Sequence, residues 1–386
     1  MKKLISVVLL VAMCMCFMVG CGSSDNASAT PVYKIGSCGP ISGDAAIYGQ
    51  AVQRGAQIAV DEINAAGGIN GVKIEYKFED DVADGETAVN AYNKLMDWGM
   101  QVMVGPVTSG AAIAVSTKCA EENVFALTPS ASATDVIANN DVVFQLCFAD
   151  PNQGSGSAVY MANDADMKDA KIAVIYRNDD AYSQGIRDTF VVEAAAKGLN
   201  VVYEGTFTKD TATDFSVQLT AAQAAGADLV FLPIYYQPAS VIFQQADAMG
   251  YKPTFFGVDG MDGILTMEGF DAKLAEGVML LTPFAADAQD ELTKSFVAEY
   301  QKRHGETPNQ FAADGYDCVY AVKAAMEAGK VTADMSAEEI CDVMVAEMTK
   351  LSFNGVTGTN MTWNANGEVS KLPAAVVITN GVYVSA

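Results

Sequence analysis

Histidine is almost missing from this chain: His304 is the one instance in 386 residues. It stands in "KRHGE", a charged stretch that reads as a solvated helix end rather than a catalytic centre. No G-x-S-x-G elbow and no H-E-x-x-H pair occurs, so the signatures of an α/β-hydrolase and of a zinc peptidase are both missing. Cysteine is sparse and scattered. Besides Cys14, Cys16 and Cys21 there are only Cys38, Cys119, Cys147, Cys318 and Cys341, never as C-x-x-C. That spacing supports neither zinc nor redox work, and no metal or cofactor is expected. Export would allow one or two disulfides among the last five, with at least one thiol left free.

Basic residues are scarce too. Lys and Arg total 23 against 47 Asp and Glu, a net charge of −24, which makes nucleic acid a poor partner. The acids do not form a calcium loop. Counted from Asp80 in "EDDVADG", the third loop position is Val82 and the twelfth is Ala91, so an EF-hand is excluded. "GSCGPISG" likewise fails the G-x-G-x-x-G pattern of a dinucleotide site.

Long apolar runs are absent after the first one, Leu4–Val19, which follows Lys2-Lys3 and ends at Gly20-Cys21. It is short for a membrane span and has the order of a secretory signal. The segment "MVGC" fits lipoprotein processing, in which Cys21 becomes the lipidated first residue. The following "GSSDNASATP" is small and polar, a flexible tether. The expectation is a signal peptide over 1–20 and a lipidated tether over 21–31. The protein would then be exported and lipid-anchored to the outer face of the cell membrane, or periplasmic where a second membrane exists. What remains is long enough for two domains with separate cores.

That remainder alternates short apolar runs with helical patterns. Strands are expected at Tyr33–Gly36, Lys73–Phe78, Val102–Gly105, Val124–Leu127, Val143–Cys147, Ile172–Tyr176, Asn200–Thr206, Leu229–Pro233, Thr254–Gly257 and Val278–Leu281. Helical periodicity fills the stretches between, as in the stripe Val52, Ala56, Ala59, Ile63. The alternation predicts an α/β fold with doubly wound parallel sheets. The last residues change character, and Asn380-Gly381 signals a hairpin.

Doubly wound sheets carry their functional loops at the carboxyl ends of their strands. Those loops hold Tyr48, then "PVTSGAA" with Thr108 and Ser109, then "TPSASATD" with Ser130 and Ser132. Further on come "AYSQG" with Tyr182, "IYYQPAS" with Tyr235 and Tyr236, and "VDGMDG" with Asp259. Serines before helix N-termini are usually caps, and an aspartate among glycines is usually a turn. Their joint position is more informative. Helix N-termini with hydroxyls suit a carboxylate, Asp259 suits an ammonium, and tyrosines offer flat walls. Together they fit a free amino acid.

The motifs "GPISGDAAIYGQAVQRGAQIAVDEINAAGGING", "VGPVTSGAA", "LTPSASATD", "AYSQG", "QQADAMGYKPTFFGVDG" and "FNGVTGTNMTWNANGEV" occur in one order along the chain. In them the sequence resembles the leucine/isoleucine/valine-binding family of type I extracellular solute-binding proteins, receptors of ABC importers. The resemblance implies two lobes joined by three crossovers, near Phe148–Asn152, Thr282–Ala286 and Phe353–Gly358. It places the N-terminal lobe at 32–149 plus 284–354 and the C-terminal lobe at 150–283 plus 355–386. It implies a monomer that closes on its ligand, has no enzymatic activity and presents the closed form to an ABC permease/ATPase complex. Residue by residue, it makes Ser109 and Ser132 donors to the ligand carboxylate and the Ser130 carbonyl a partner of the ammonium. Tyr48, Tyr182 and Tyr236 become aromatic contacts, with Tyr235 competing for the last position. The acid facing the ammonium is commonly glutamate in that family; here Asp259 is one methylene shorter. The implied ligand is an amino acid, branched-chain or otherwise aliphatic. An amide, urea or aromatic acid, or a sensory role without transport, is the alternative.

Overall fold

The computed structural model describes residues 31–138 and 140–386, so the expected signal segment and Cys21 lie outside the described residues. Two parallel sheets carry the chain. The first has the order β2-β1-β3-β4-β5, built from β1 (Val32–Gly39), β2 (Lys73–Asp80), β3 (Val102–Val104), β4 (Ala126–Thr128) and β5 (Val143–Gln145). Strands β3, β4 and β5 are short and fully buried, as parallel strands between helix layers must be, whereas the edge strand β2 is largely half-buried. Helices α1 (Ala46–Ala65), α2 (Gly85–Trp98) and α3 (Ser109–Glu122) connect them.

The second sheet has the order β14-β13-β10-β9-β8-β6-β7. It comprises β6 (Lys171–Arg177), β7 (Asn200–Phe207), β8 (Leu229–Leu232), β9 (Thr254–Gly257) and β10 (Met279–Thr282), all parallel, with an antiparallel edge of β13 (Ala374–Thr379) and β14 (Val382–Ser385). The β13–β14 turn is Asn380-Gly381, both at positive φ (54° and 75°), the backbone that an Asn-Gly hairpin requires. Helices α4 (Asp150–Asn163), α5 (Ala181–Lys197), α6 (Ser216–Ala224) and α7 (Tyr236–Ala248) belong to this part of the chain. Then α8 (Glu291–His304), α9 (Gln310–Ala328) and α10 (Ala337–Met348) return to the first sheet.

The return is visible where α9 crosses α1. A Cβ added at Gly55 would lie 1.8 Å from the Ala312 carbonyl oxygen, and one at Gly315 would lie 2.6 Å from the Val52 carbonyl oxygen. The small residues of α1 therefore serve helix-to-helix contact as well as contact with the sheet. The third crossover falls later than Phe353–Gly358. Trp363 Nε1 donates to the Gln145 carbonyl (2.7 Å) and Gln145 N donates to the Gly367 carbonyl (2.9 Å). The segment carrying the short pair β11 (Ser352–Phe353) and β12 (Met361–Thr362) thus lies along β5, and the chain reaches the second sheet only at Ala374.

Near this late crossover, Lys371 Nζ meets Asp314 (3.2 Å) and donates to Thr357 Oγ1 (2.6 Å), all buried. No disulfide forms among the described residues: Cys38, Cys119, Cys147, Cys318 and Cys341 are each free and buried. Burial raises each of these thiols above its ordinary pKa. They behave as small core hydrophobes. Among the described residues no helix is long and apolar enough to cross a membrane.

Candidate functional site

In both sheets the strand order reverses beside the first strand of the half, β1 in one and β6 in the other, and the crevice at such a reversal is where open α/β sheets bind ligands. The loops leaving β1, β3 and β4 meet those leaving β6, β8 and β9 around a small, tightly closed cavity of about 10 Å³. Its wall is formed by Tyr48, Thr108, Ser109 and Ser130 from the first sheet's loops and by Tyr182, Tyr235, Asp259 and Gly260 from the second's. Phe311, at the start of α9, and Val107 complete it.

One side of the cavity is polar through backbone and hydroxyls. Ser109 opens α3, presenting that helix's unpaired N–H groups and positive dipole end. Its Oγ accepts from Ala133 N (3.2 Å), which leaves the hydroxyl proton available to a ligand. Ser130 Oγ donates to the Val107 carbonyl (2.8 Å), holding the β4 loop against the β3 loop. Thr108 is the N-cap of α3, yet its side chain makes no capping bond. Its buried Oγ1 has no partner.

Asp259 stands in the wall contributed by the second sheet. Its Oδ1 accepts from Tyr182 Oη (2.6 Å), and its backbone N donates to Gln153 Oε1 (3.2 Å). Burial pushes the Asp259 carboxyl up to about 6, although hydrogen bonds from Tyr182, Gln153 and Gln310 pull the other way. A carboxylate kept this dry favours a cation beside it. Asp262, just beyond, accepts from Gln310 N at the start of α9 (2.8 Å), tying the β9 loop to the other half.

Rings close the remaining sides. Tyr48 lies 5.3 Å from Tyr235 and 4.3 Å from Phe311, and Tyr182 lies 5.0 Å from Tyr235, centroid to centroid. The Tyr48 hydroxyl donates to the Gly260 carbonyl across the cleft. A Cβ at Gly260 would come within 2.6 Å of Tyr182 Oη and 3.0 Å of Tyr235 Cδ1, so the ring pair requires glycine there.

Five of the seven residues expected from sequence thus share this wall: Tyr48, Ser109, Ser130, Tyr182 and Asp259. Tyr236 does not; Tyr235 takes its place. The reason is local. Helix α7 begins at Tyr236, so Tyr235 is the extended N-cap residue and projects from the loop. Tyr236 instead packs edge-on against Tyr48 at 5.0 Å, and its hydroxyl accepts from Ile47 N (3.4 Å). Ser132 is also outside the wall. Its carbonyl accepts from Asp150 N (3.0 Å) and its hydroxyl from Gln153 Nε2 (3.5 Å), so it reaches Asp259 only through Gln153. Phe311 carried no signal in the sequence, because it follows no strand. Thr108 did, standing beside Ser109 in "PVTSG".

A family model described as "Periplasmic binding protein" matches residues 32–381. The Leu/Ile/Val-binding protein BraC3 of Rhizobium johnstonii is 32% identical over 295 residues, 76% of this chain and 78% of that protein. The branched-chain amino acid transporter substrate-binding protein LivJ from Streptococcus pneumoniae, solved in complex with isoleucine, has a TM-score of 0.80 at 30% identity, covering 92% of this chain and 100% of that one. A solute-binding protein of an ABC transporter from R. palustris, solved with benzoate, shares the fold with a TM-score of 0.80 at 21% identity, over 92% of this chain and 95% of that one. The chain therefore belongs to the periplasmic binding protein family of non-enzymatic solute-binding proteins, among homologues of the Leu/Ile/Val-binding proteins.

Proposed function

We propose that this protein is the substrate-binding lipoprotein of an ABC importer and captures a free L-amino acid, branched-chain or otherwise aliphatic, between its two lobes. One observation carries this reading: a single cavity is lined both by the amino end of α3 with Ser109 and by the buried carboxyl of Asp259. A zwitterion answers both. Its carboxylate lies against Ser109 and the α3 N–H groups, and its ammonium lies against Asp259 and the Ser130 carbonyl. Tyr48, Tyr182 and Tyr235 cover the side chain, while Ser132 orients Gln153 behind Asp259.

An aromatic acid fits less well. It brings no cation, and Asp259 would stay charged, dry and unpaired, a costly arrangement. A ligand that touches both halves favours the closed form through contacts the open form lacks, and that closed form is what a permease would engage. The apolar segment ending at Gly20-Cys21 supports export and a lipid anchor on Cys21.

Thermal shift of the purified protein against the twenty L-amino acids, urea, acetamide and benzoate tests the ligand class. Stabilisation by leucine, isoleucine or valine is expected, growing with concentration as binding to the native state alone requires. A response to benzoate or an amide with none to any amino acid would sink the reading.

A further inference from the structure

Beyond the aliphatic pocket, Thr108 is a buried hydroxyl with nothing to bond. It is 5% exposed, and its Oγ1 has no hydrogen-bond partner. A threonine at an N-cap ordinarily accepts from the N2 or N3 backbone N–H, but here the side chain makes no capping bond. Leaving a buried hydroxyl unsatisfied destabilises the protein, so the orphan invites an external partner. Its surroundings indicate which one. The ligand cavity and a larger vestibule of about 540 Å³ share Thr108 and Tyr235 in their walls, so these two residues form the neck between them. Ser109 lines the inner cavity only.

The two hydroxyls also differ in what they can still do. Ser109 Oγ already accepts from Ala133 N and keeps one proton to give. Thr108 Oγ1 can both give and accept. A carboxylate uses only the donor, whereas a ligand hydroxyl or amide uses both. We infer that Thr108 is a specificity-determining residue that reads a polar atom on the ligand's side chain at the neck, so that a hydroxylated amino acid is bound in preference to its aliphatic isostere. This rests on the amino-acid reading above and extends its side-chain class from aliphatic residues to hydroxylated ones of the same size.

Threonine and valine are the informative pair, nearly equal in shape and different by one hydroxyl. Calorimetric Kd values for both would be measured on the unsubstituted protein, Thr108→Val and Thr108→Ser. The unsubstituted protein should bind threonine about tenfold more tightly than valine, the scale of one net hydrogen bond. Thr108→Val should abolish that ratio, and Thr108→Ser should keep it. If Thr108→Val weakens threonine and valine equally, the hydroxyl serves the common carboxylate and the inference is overturned. If neither affinity moves, it is overturned as well. A folded unsubstituted protein that binds no amino acid sinks the proposed function and this inference together. Binding with an unaltered ratio sinks the inference alone.

Discussion

At the scale of single residues, the site turns on the protonation of Asp259. Burial pushes its carboxyl up to about 6, and a ligand ammonium would favour the ionised form. Binding near or below that pH must therefore release a proton. Affinity for an amino acid should be flat above about pH 7 and fall as pH drops through 6, approaching tenfold per unit. Calorimetry in buffers of different ionisation enthalpy checks both the trend and the released proton. Asp259→Asn keeps the shape and removes the charge. It should cost two or more orders of magnitude in affinity, as truncating one partner of a buried charge pair does, with the melting temperature of the ligand-free protein held or raised. Unchanged affinity would take Asp259 out of the ligand's reach.

At the scale of elements, helix α4 is the instructive case. Little beyond the proline in its first turn advertises a helix in "DPNQGSGSAVYMAN": two glycines and five serine or amide residues dilute the apolar stripe, and glycine is a poor helix former. Its packing against α5 explains the composition. A Cβ on Gly154 would sit 2.1 Å from Thr189 Oγ1 and 2.2 Å from the Ile186 carbonyl oxygen, so the two backbones approach where only glycine fits. Gly156, two residues on, would meet Pro373 Cγ at 3.5 Å and Leu281 Cδ1 at 3.6 Å, an ordinary contact. Thermal and urea melts should separate them. Gly154→Ala is expected to lose about 1–3 kcal/mol by overpacking, and Gly156→Ala to gain roughly 0.4–1 kcal/mol by restricting the unfolded chain. A loss at Gly156 equal to that at Gly154 would show that helix propensity, not the α4–α5 approach, governs this element.

Across the whole molecule, buried acids set the pH of greatest stability. Burial raises the carboxyl of Asp81 to about 7 and those of Asp259 and Asp262 to about 6. An unfolded aspartate titrates near 3.9. The folded chain thus holds protons more tightly than the unfolded one between these values, so this stability is present at low pH and lost as pH rises through 6 to 7. The helix caps act in the other direction. Asp84 and Asp290 are held low by backbone bonds from Thr87 and Thr293, and their contribution is lost on acidification. Relief of the net charge of −24 adds to the gain on mild acidification. The melting temperature of the ligand-free protein should therefore be highest around pH 4 and fall steadily from there towards pH 8. A peak at pH 7 or above, in scans run without ligand, would contradict it.

Sequence alone determined the layered α/β architecture, because burying parallel strands on both faces writes unbroken apolar runs such as Leu229–Leu232 into the chain. It also determined which loops carry the polar site residues, since strand ends are legible, and it placed the Asn380-Gly381 turn, whose backbone few other residues accept. Only the tertiary structure decided between Tyr235 and Tyr236, because that depends on where α7 starts. It alone brought Phe311 into the wall, turned Ser132 towards Gln153, drew α4 out of a glycine-rich segment and moved the third crossover past Lys371. Each of these depends on what another, distant segment presents, and a local pattern of side chains records only the demands of its own turn or strand.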